Sequence, residues 1–219
     1  GCGGGDLLAS VKDAKNQTTS FQYDLQKRLT GTTNPLSQSK TFAYDKKGNL
    51  TSVTDAKGQT ITFEYDVNDR LTVKHLPEGD ITYSYDPVGN LLSVTSPDSQ
   101  VNMTYGILNQ VVQVQQVTGG QTYTISYGYD VNGNRTSMTS PWGTTSYTYD
   151  ALNRLTSLTN PDGKLITFSY DALGRRTRLT YPNGTETTYA YDAASQLTQI
   201  LHRKVADSTA LAFNNYAYD

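Results

Sequence analysis

The chain is nearly devoid of cysteine, histidine and tryptophan, carries little charge and has no long apolar run. Each shortage removes a class of protein. A single cysteine, Cys2, permits neither an intrachain disulfide framework nor a cysteine-based zinc site. Charged residues make up 17% of the chain and the formal net charge is -2, with lysine and arginine scattered singly. The longest basic cluster, His202-Arg203-Lys204, is too short to form a phosphate-neutralising stripe, so nucleic acid is not an expected partner. No segment approaches the roughly 18 apolar residues of a spanning helix, and membrane insertion is not expected. The N-terminus also lacks the charged-then-apolar pattern of a secretion signal. Aliphatic residues are too sparse for a solid core.

What the chain does hold is tyrosine, 17 of them, together with many Thr, Gly and Asn. Tyr and Thr suit a pleated, half-wet surface. The tyrosines are periodic. Tyr-Asp dipeptides stand at Tyr23-Asp24, Tyr44-Asp45, Tyr65-Asp66, Tyr85-Asp86, Tyr129-Asp130, Tyr149-Asp150, Tyr170-Asp171, Tyr191-Asp192 and Tyr218-Asp219. The spacing is 20 or 21 residues except where Tyr105-Gly106 forms a degenerate copy and where an insertion lies around His202 to Ala210. About ten copies follow one another.

Two residues before each tyrosine stands another large apolar or aromatic residue, as with Phe42, Phe63, Tyr147 and Phe168. That spacing puts both side chains on one face of a strand, whereas a helix would separate them by about 200°. Four residues after the tyrosine come Gly48, Asp69, Gly89, Asn109, Gly133, Asn153 and Gly174, residues that tolerate a left-handed backbone; Lys27 and Ser195 depart from the rule. A second turn follows about ten residues on, at Gly58, Gly79, Gly119-Gly120, Gly143, Gly163 and Gly184. Two strands and two turns per period make each repeat a β-hairpin. The second strand breaks alternation, since Leu50 and Val53 are three apart. Either a bulge re-phases it or both faces are partly covered. The expected fold is all-β: an array of antiparallel hairpins over residues 6–219, forming a long, curved or spiralling open sheet, with longer loops near 115–121 and 201–212. Residues 1–5 read as native loop, linker or cloning remnant.

The run Tyr44-Asp45-Lys46-Lys47-Gly48-Asn49-Leu50-Thr51 and its counterpart Tyr149 to Thr156 resemble the YD repeats of rearrangement hotspot (RHS) proteins, with relatives in bacterial toxin complexes, wall-associated proteins and teneurins. The resemblance runs from about Asp6 to Asp219. It implies a section of a hollow β-shell enclosing a C-terminal toxin or effector, with the rest of the shell and that effector as partners. It also implies a secreted, extracellular or cell-surface location whose signal lies outside this chain. Nothing matches the core segment and Asp-Pro cleavage motif that end complete shells; Asp86-Pro87-Val88-Gly89 sits in an ordinary repeat.

Catalysis is not expected. Nine equivalent Tyr-Asp pairs do not build one active site, and neighbouring strand residues face opposite ways. Asp after Tyr is better placed to accept backbone N–H groups of the following turn. His75 and His202 read as isolated loop residues without metal-ligand spacing, and no cofactor is implied. Alternatives in other classes are an adhesion or scaffold module that self-associates through open sheet edges, and a carbohydrate-stacking platform built on the aromatic rows.

Overall fold

The computed structural model describes residues 7 to 218, so Gly1–Gly5, Cys2 and the last aspartate lie outside the described residues. Twenty strands and no helix occupy them. The first nine are β1 (Ser10–Lys12), β2 (Thr18–Tyr23), β3 (Leu29–Thr33), β4 (Ser39–Tyr44), β5 (Leu50–Thr54), β6 (Thr60–Tyr65), β7 (Leu71–Leu76), β8 (Gly79–Tyr85) and β9 (Leu91–Thr95). β10 (Ser99–Tyr105), β11 (Val111–Thr118), β12 (Gln121–Tyr129), β13 (Arg135–Ser140), β14 (Gly143–Tyr149) and β15 (Leu155–Thr159) come next. The series ends with β16 (Leu165–Tyr170), β17 (Arg176–Thr180), β18 (Thr185–Tyr191), β19 (Leu197–Lys204) and β20 (Ala210–Asn215).

The chain divides into two compact units, the first reaching Asn102 and including Gln116–Gln121, the second made of Met103–Gln115 and everything from Thr122 on. In the first, β1 to β9 form an antiparallel meander in which each strand pairs with the next, continued by Gln100–Asn102 of β10 on β9. In the second, β12 to β20 do the same. Neither meander closes on itself.

Alternation is plainest in β6 and β8: in β6 Ile61, Phe63 and Tyr65 are half-buried while Thr60, Thr62 and Glu64 are exposed. No described apolar side chain is fully buried, as a single sheet with one partly dry face requires. The phase break of the second strand is a bulge. Tyr44 pairs with Leu50, but Ala43 pairs with Ser52, leaving Thr51 as the extra residue. The same slip recurs at Tyr23, Tyr65, Tyr85, Tyr129, Tyr149, Tyr170 and Tyr191. It returns both Leu50 and Val53 to the tyrosine face.

The predicted loops need correcting. Near 115–121 the chain continues β11 and β12 up to a two-residue turn, and near 201–212 it continues β19 into β20 around a short turn. The inserted residues, such as Val112, Val114 and Val117, are β-formers interleaved with polar ones, so extra length extends the ladder. The histidines move likewise from loops to strands, His75 in β7 and His202 in β19.

Lys27 and Ser195, which departed from the turn rule, adopt the left-handed backbone all the same, at φ 65° and 66°. At the opposite rim a Cβ on Gly143 would lie 2.7 Å from Pro161, and Gly79 is packed against Pro97 in the same way, so at these two places one second turn sets its glycine against the proline of the next.

Candidate functional site

The repeated motif is a set of interlocks within and between hairpins. Each YD turn is closed by its aspartate: Asp66 Oδ1 accepts the backbone N–H groups of Asn68 (2.9 Å) and Arg70 (3.0 Å). Asp24, Asp45, Asp86, Asp130, Asp150 and Asp171 repeat this pattern, and Asp192 accepts from the Gln196 N–H. The second oxygen takes the side chain four residues on, Arg70 Nε to Asp66 Oδ2 at 2.7 Å or Asn49 Nδ2 to Asp45 Oδ2 at 3.0 Å. The Arg70 backbone N–H holds the Asp66 carboxyl below the ordinary carboxylate range, against the opposing effect of desolvation and with help from the Arg70 side chain. Asp150 is lowered in the same way by Arg154.

The tyrosine ties its hairpin to the previous one. Tyr44 Oη donates to the Leu29 carbonyl at 2.9 Å and Tyr65 Oη to that of Leu50 at 2.9 Å. Tyr85 reaches Leu71, Tyr129 reaches Val111, Tyr149 reaches Arg135, Tyr170 reaches Leu155 and Tyr191 reaches Arg176. Partial burial raises the pKa of the Tyr65 hydroxyl, which keeps the donor protonated.

A third connection had no counterpart in the sequence reading. Arg28, bound to Asp24, lays its guanidinium 4.8 Å from the Tyr44 ring centre and donates Nη1 to the Asp45 carbonyl at 2.9 Å. Arg70 does this to Tyr85 and Asp86, Arg154 to Tyr170 and Asp171, and Arg175 to Tyr191 and Asp192. Where the position holds Asn, the amide reaches the left-handed residue of the next turn instead, Asn49 to Asp69 at 2.9 Å and Asn134 to Asn153 at 2.8 Å. Part of the signal was available in the sequence: Arg28, Arg70 and Arg154 precede turns with Gly48, Gly89 and Gly174, while Asn49 and Asn134 precede turns whose left-handed residue bears a side chain; Arg175, which precedes Ser195, departs from this rule.

Each tyrosine is thus brought onto the previous repeat and each aspartate into its own turn, while Gly48, Gly89, Gly133 and Gly174 supply positive φ of 102°, 101°, 83° and 80°. Among the described residues no group of three His, Asp or Glu side chains is arranged to hold a metal ion. Two charged clusters lie on the face opposite the tyrosines. His75 bridges three strands, its Nδ1 at 2.8 Å from Asp80 and Nε2 at 3.1 Å from Glu64. Glu186, 1% exposed, is held between Arg178 and Arg203, the latter at 2.6 Å.

Fold and motif together define a tandem β-hairpin repeat protein whose neighbouring units are bolted by tyrosine and arginine. The RHS Repeat family matches residues 5–39, 44–81, 69–101, 143–165, 149–186 and 170–204, more than half of the chain, and the protein belongs to that family. Among solved structures it is similar to a mutant of the Photorhabdus luminescens Tc holotoxin pore, with 17% identity, a TM-score of 0.68, and coverage of 93% of this chain and 13% of that one. It is also similar to TcdB2-TccC3, with 17% identity, a TM-score of 0.59, and coverage of 96% and 14%. A structure of TcdB2-TccC3-Cdc42 gives 18% identity, a TM-score of 0.60, and coverage of 93% and 13%. This chain therefore spans only a small part of the length of the solved chains it matches. No curated protein matches it in sequence.

Proposed function

We propose that the chain is a section of wall in an RHS shell that encloses a C-terminal effector and delivers it outside the producing cell. The observation that carries this reading is the interlock: bonds from the YD tyrosines to the preceding hairpin stiffen the sheet of each unit, suited to containment. A catalytic site would need one unrepeated constellation. The first-turn rim displays apolar residues to solvent, Leu25 at 98% and Val67 at 87% exposure in one unit, Ile107 at 100% and Val131 at 94% in the other. Such residues suit contact with further parts of the same shell.

The test is the parent gene. Its downstream sequence is expected to encode a core segment and a variable C-terminal domain, and in the whole protein that domain is expected to resist added protease until the shell is denatured. A C-terminal domain cut as fast as when expressed alone overturns the proposal.

A further inference from the structure

We infer that the tyrosine face of the second unit is a docking surface for an extended, acidic stretch of polypeptide, held by Arg135 and Arg176. The inference does not rest on the enclosing role. At the position that pairs with the YD tyrosine, the first unit carries leucine throughout: Leu29, Leu50, Leu71 and Leu91, opposite Tyr23, Tyr44, Tyr65 and Tyr85. In the second unit the same position reads Arg135, Leu155, Arg176 and Leu197. Both leucines stay half-buried and both arginines are exposed. The guanidinium groups lie on rings of the same face. Arg135 is 4.8 Å from the Tyr147 ring centre and 5.8 Å from that of Tyr127, and Arg176 is 5.5 Å from that of Phe168. Stacking holds each group in place and leaves its N–H edge open to a partner, apart from a long contact of 3.4 Å between Arg135 Nη2 and the Tyr147 hydroxyl.

Neither of these charges has a counter-ion. Ion pairs among the described residues of this unit take up Arg154, Arg175, Arg178 and Arg203. The YD aspartates of the adjoining rim, Asp130, Asp150, Asp171 and Asp192, are engaged in their own turns by Asn134, Arg154, Arg175 and Gln196. Within the described strands β12 to β20 the only acidic residue is Glu186, and it sits on the other face between Arg178 and Arg203. The tyrosine face is thus aromatic and aliphatic, with two cations that nothing neutralises. Arg135 opens β13 and Arg176 opens β17, four strand steps or about 19 Å apart. An extended chain crosses that span in roughly six residues. Leu155 and Leu158 lie on the same face between the arginines, so the fitting partner carries apolar residues between its carboxylates. Two cations are too few to neutralise a nucleic-acid backbone. A sugar would need an uncovered ring, and the guanidinium groups already lie against Tyr147 and Phe168.

The probe is a fluorescein-labelled peptide of about ten residues with glutamate pairs at its two ends and alternating alanine and leucine between them. It is titrated with the 219-residue chain and followed by fluorescence anisotropy. Saturable binding is expected, and the same peptide with glutamine in place of glutamate is expected not to bind. Arg135→Leu combined with Arg176→Leu puts at both positions the residue that other repeats carry there, so circular dichroism is expected to be unchanged while affinity falls about ten-fold. Arg135→Gln with Arg176→Gln gives the same loss through a polar side chain, should leucine disturb folding. Lys12→Leu with Lys15→Leu makes an equal change of net charge in the first unit and is expected to leave affinity as it was. Three results overturn the inference: no saturable binding, an equal loss in the Lys12 and Lys15 variant, or heparin bound through the two arginines while the peptide stays free.

Discussion

At the scale of single residues, the repeat is governed by which side chains fit a left-handed turn and which bonds leave it. Lys27 sits at φ 65° where the best-formed turns have glycine, and among the described residues its side chain makes no ion pair or hydrogen bond that would offset the strain. A left-handed non-glycine residue costs roughly 1–2 kcal/mol, partly returned because glycine loses more freedom on folding. Lys27→Gly is therefore expected to stabilise by about 0.5–1 kcal/mol, seen as a rise of about 2 °C in melting temperature; a fall would mean the lysine makes contacts that matter more than its backbone. Tyr65→Phe works in the opposite direction. It removes the bond to Leu50 and leaves that half-buried carbonyl to water, with an expected loss of about 1 kcal/mol in denaturant unfolding. Equal stability of Phe and Tyr there would show that the ring alone holds adjacent hairpins.

At the scale of strands and hairpins, the sequence was legible where chemistry repeats and opaque where geometry has to be summed across strands. Strand ends at Tyr44, Tyr65 or Tyr170 and turns at Gly48 or Gly163 follow from spacing, because alternation and positive φ are local properties. The bulge at Thr51 could not be chosen from the sequence, since it depends on the partner strand's register. The guanidinium over the next tyrosine was invisible for a related reason: Arg28 and Tyr44 become neighbours only once two hairpins lie side by side. His75 shows the same limit, because Glu64 and Asp80 reach it from strands on either side.

That histidine gives a pH dependence at the level of three strands. Hydrogen bonding to Glu64, then to Asp80, raises its pKa above the ordinary histidine value, against desolvation. A raised pKa means the protonated imidazole binds better in the fold than in the unfolded chain. Its contribution is fully present below about pH 6.5 and fades as pH rises through the folded value. The cluster is open to solvent, so the effect is small. Melting temperature is expected to decline slightly more between about pH 6 and 8 in the native protein than in His75→Gln; parallel curves would remove the cluster from any role in stability.

At the scale of the whole molecule, repeated interlocks make stability close to a sum of nearest-neighbour terms. Every YD tyrosine bonds backward to the hairpin before it and every matching arginine reaches forward to the one after, so a hairpin is defined by its two neighbours and little else. Removing one complete period should therefore be tolerated. Deleting residues 45–65 joins Tyr44 directly to Asp66, restores a YD turn at the junction and leaves each later strand in its original direction. Deleting only residues 45–54 removes a single strand, reverses the direction of all that follow and puts later YD turns at the wrong rim. The full-period deletion is expected to keep the β-type circular dichroism per residue and melt within a few degrees of the parent, while the half-period deletion loses cooperative melting. Equal damage from both would mean that stability depends on contacts beyond adjacent hairpins, because only then would preserving the neighbour-to-neighbour joint fail to preserve the sheet.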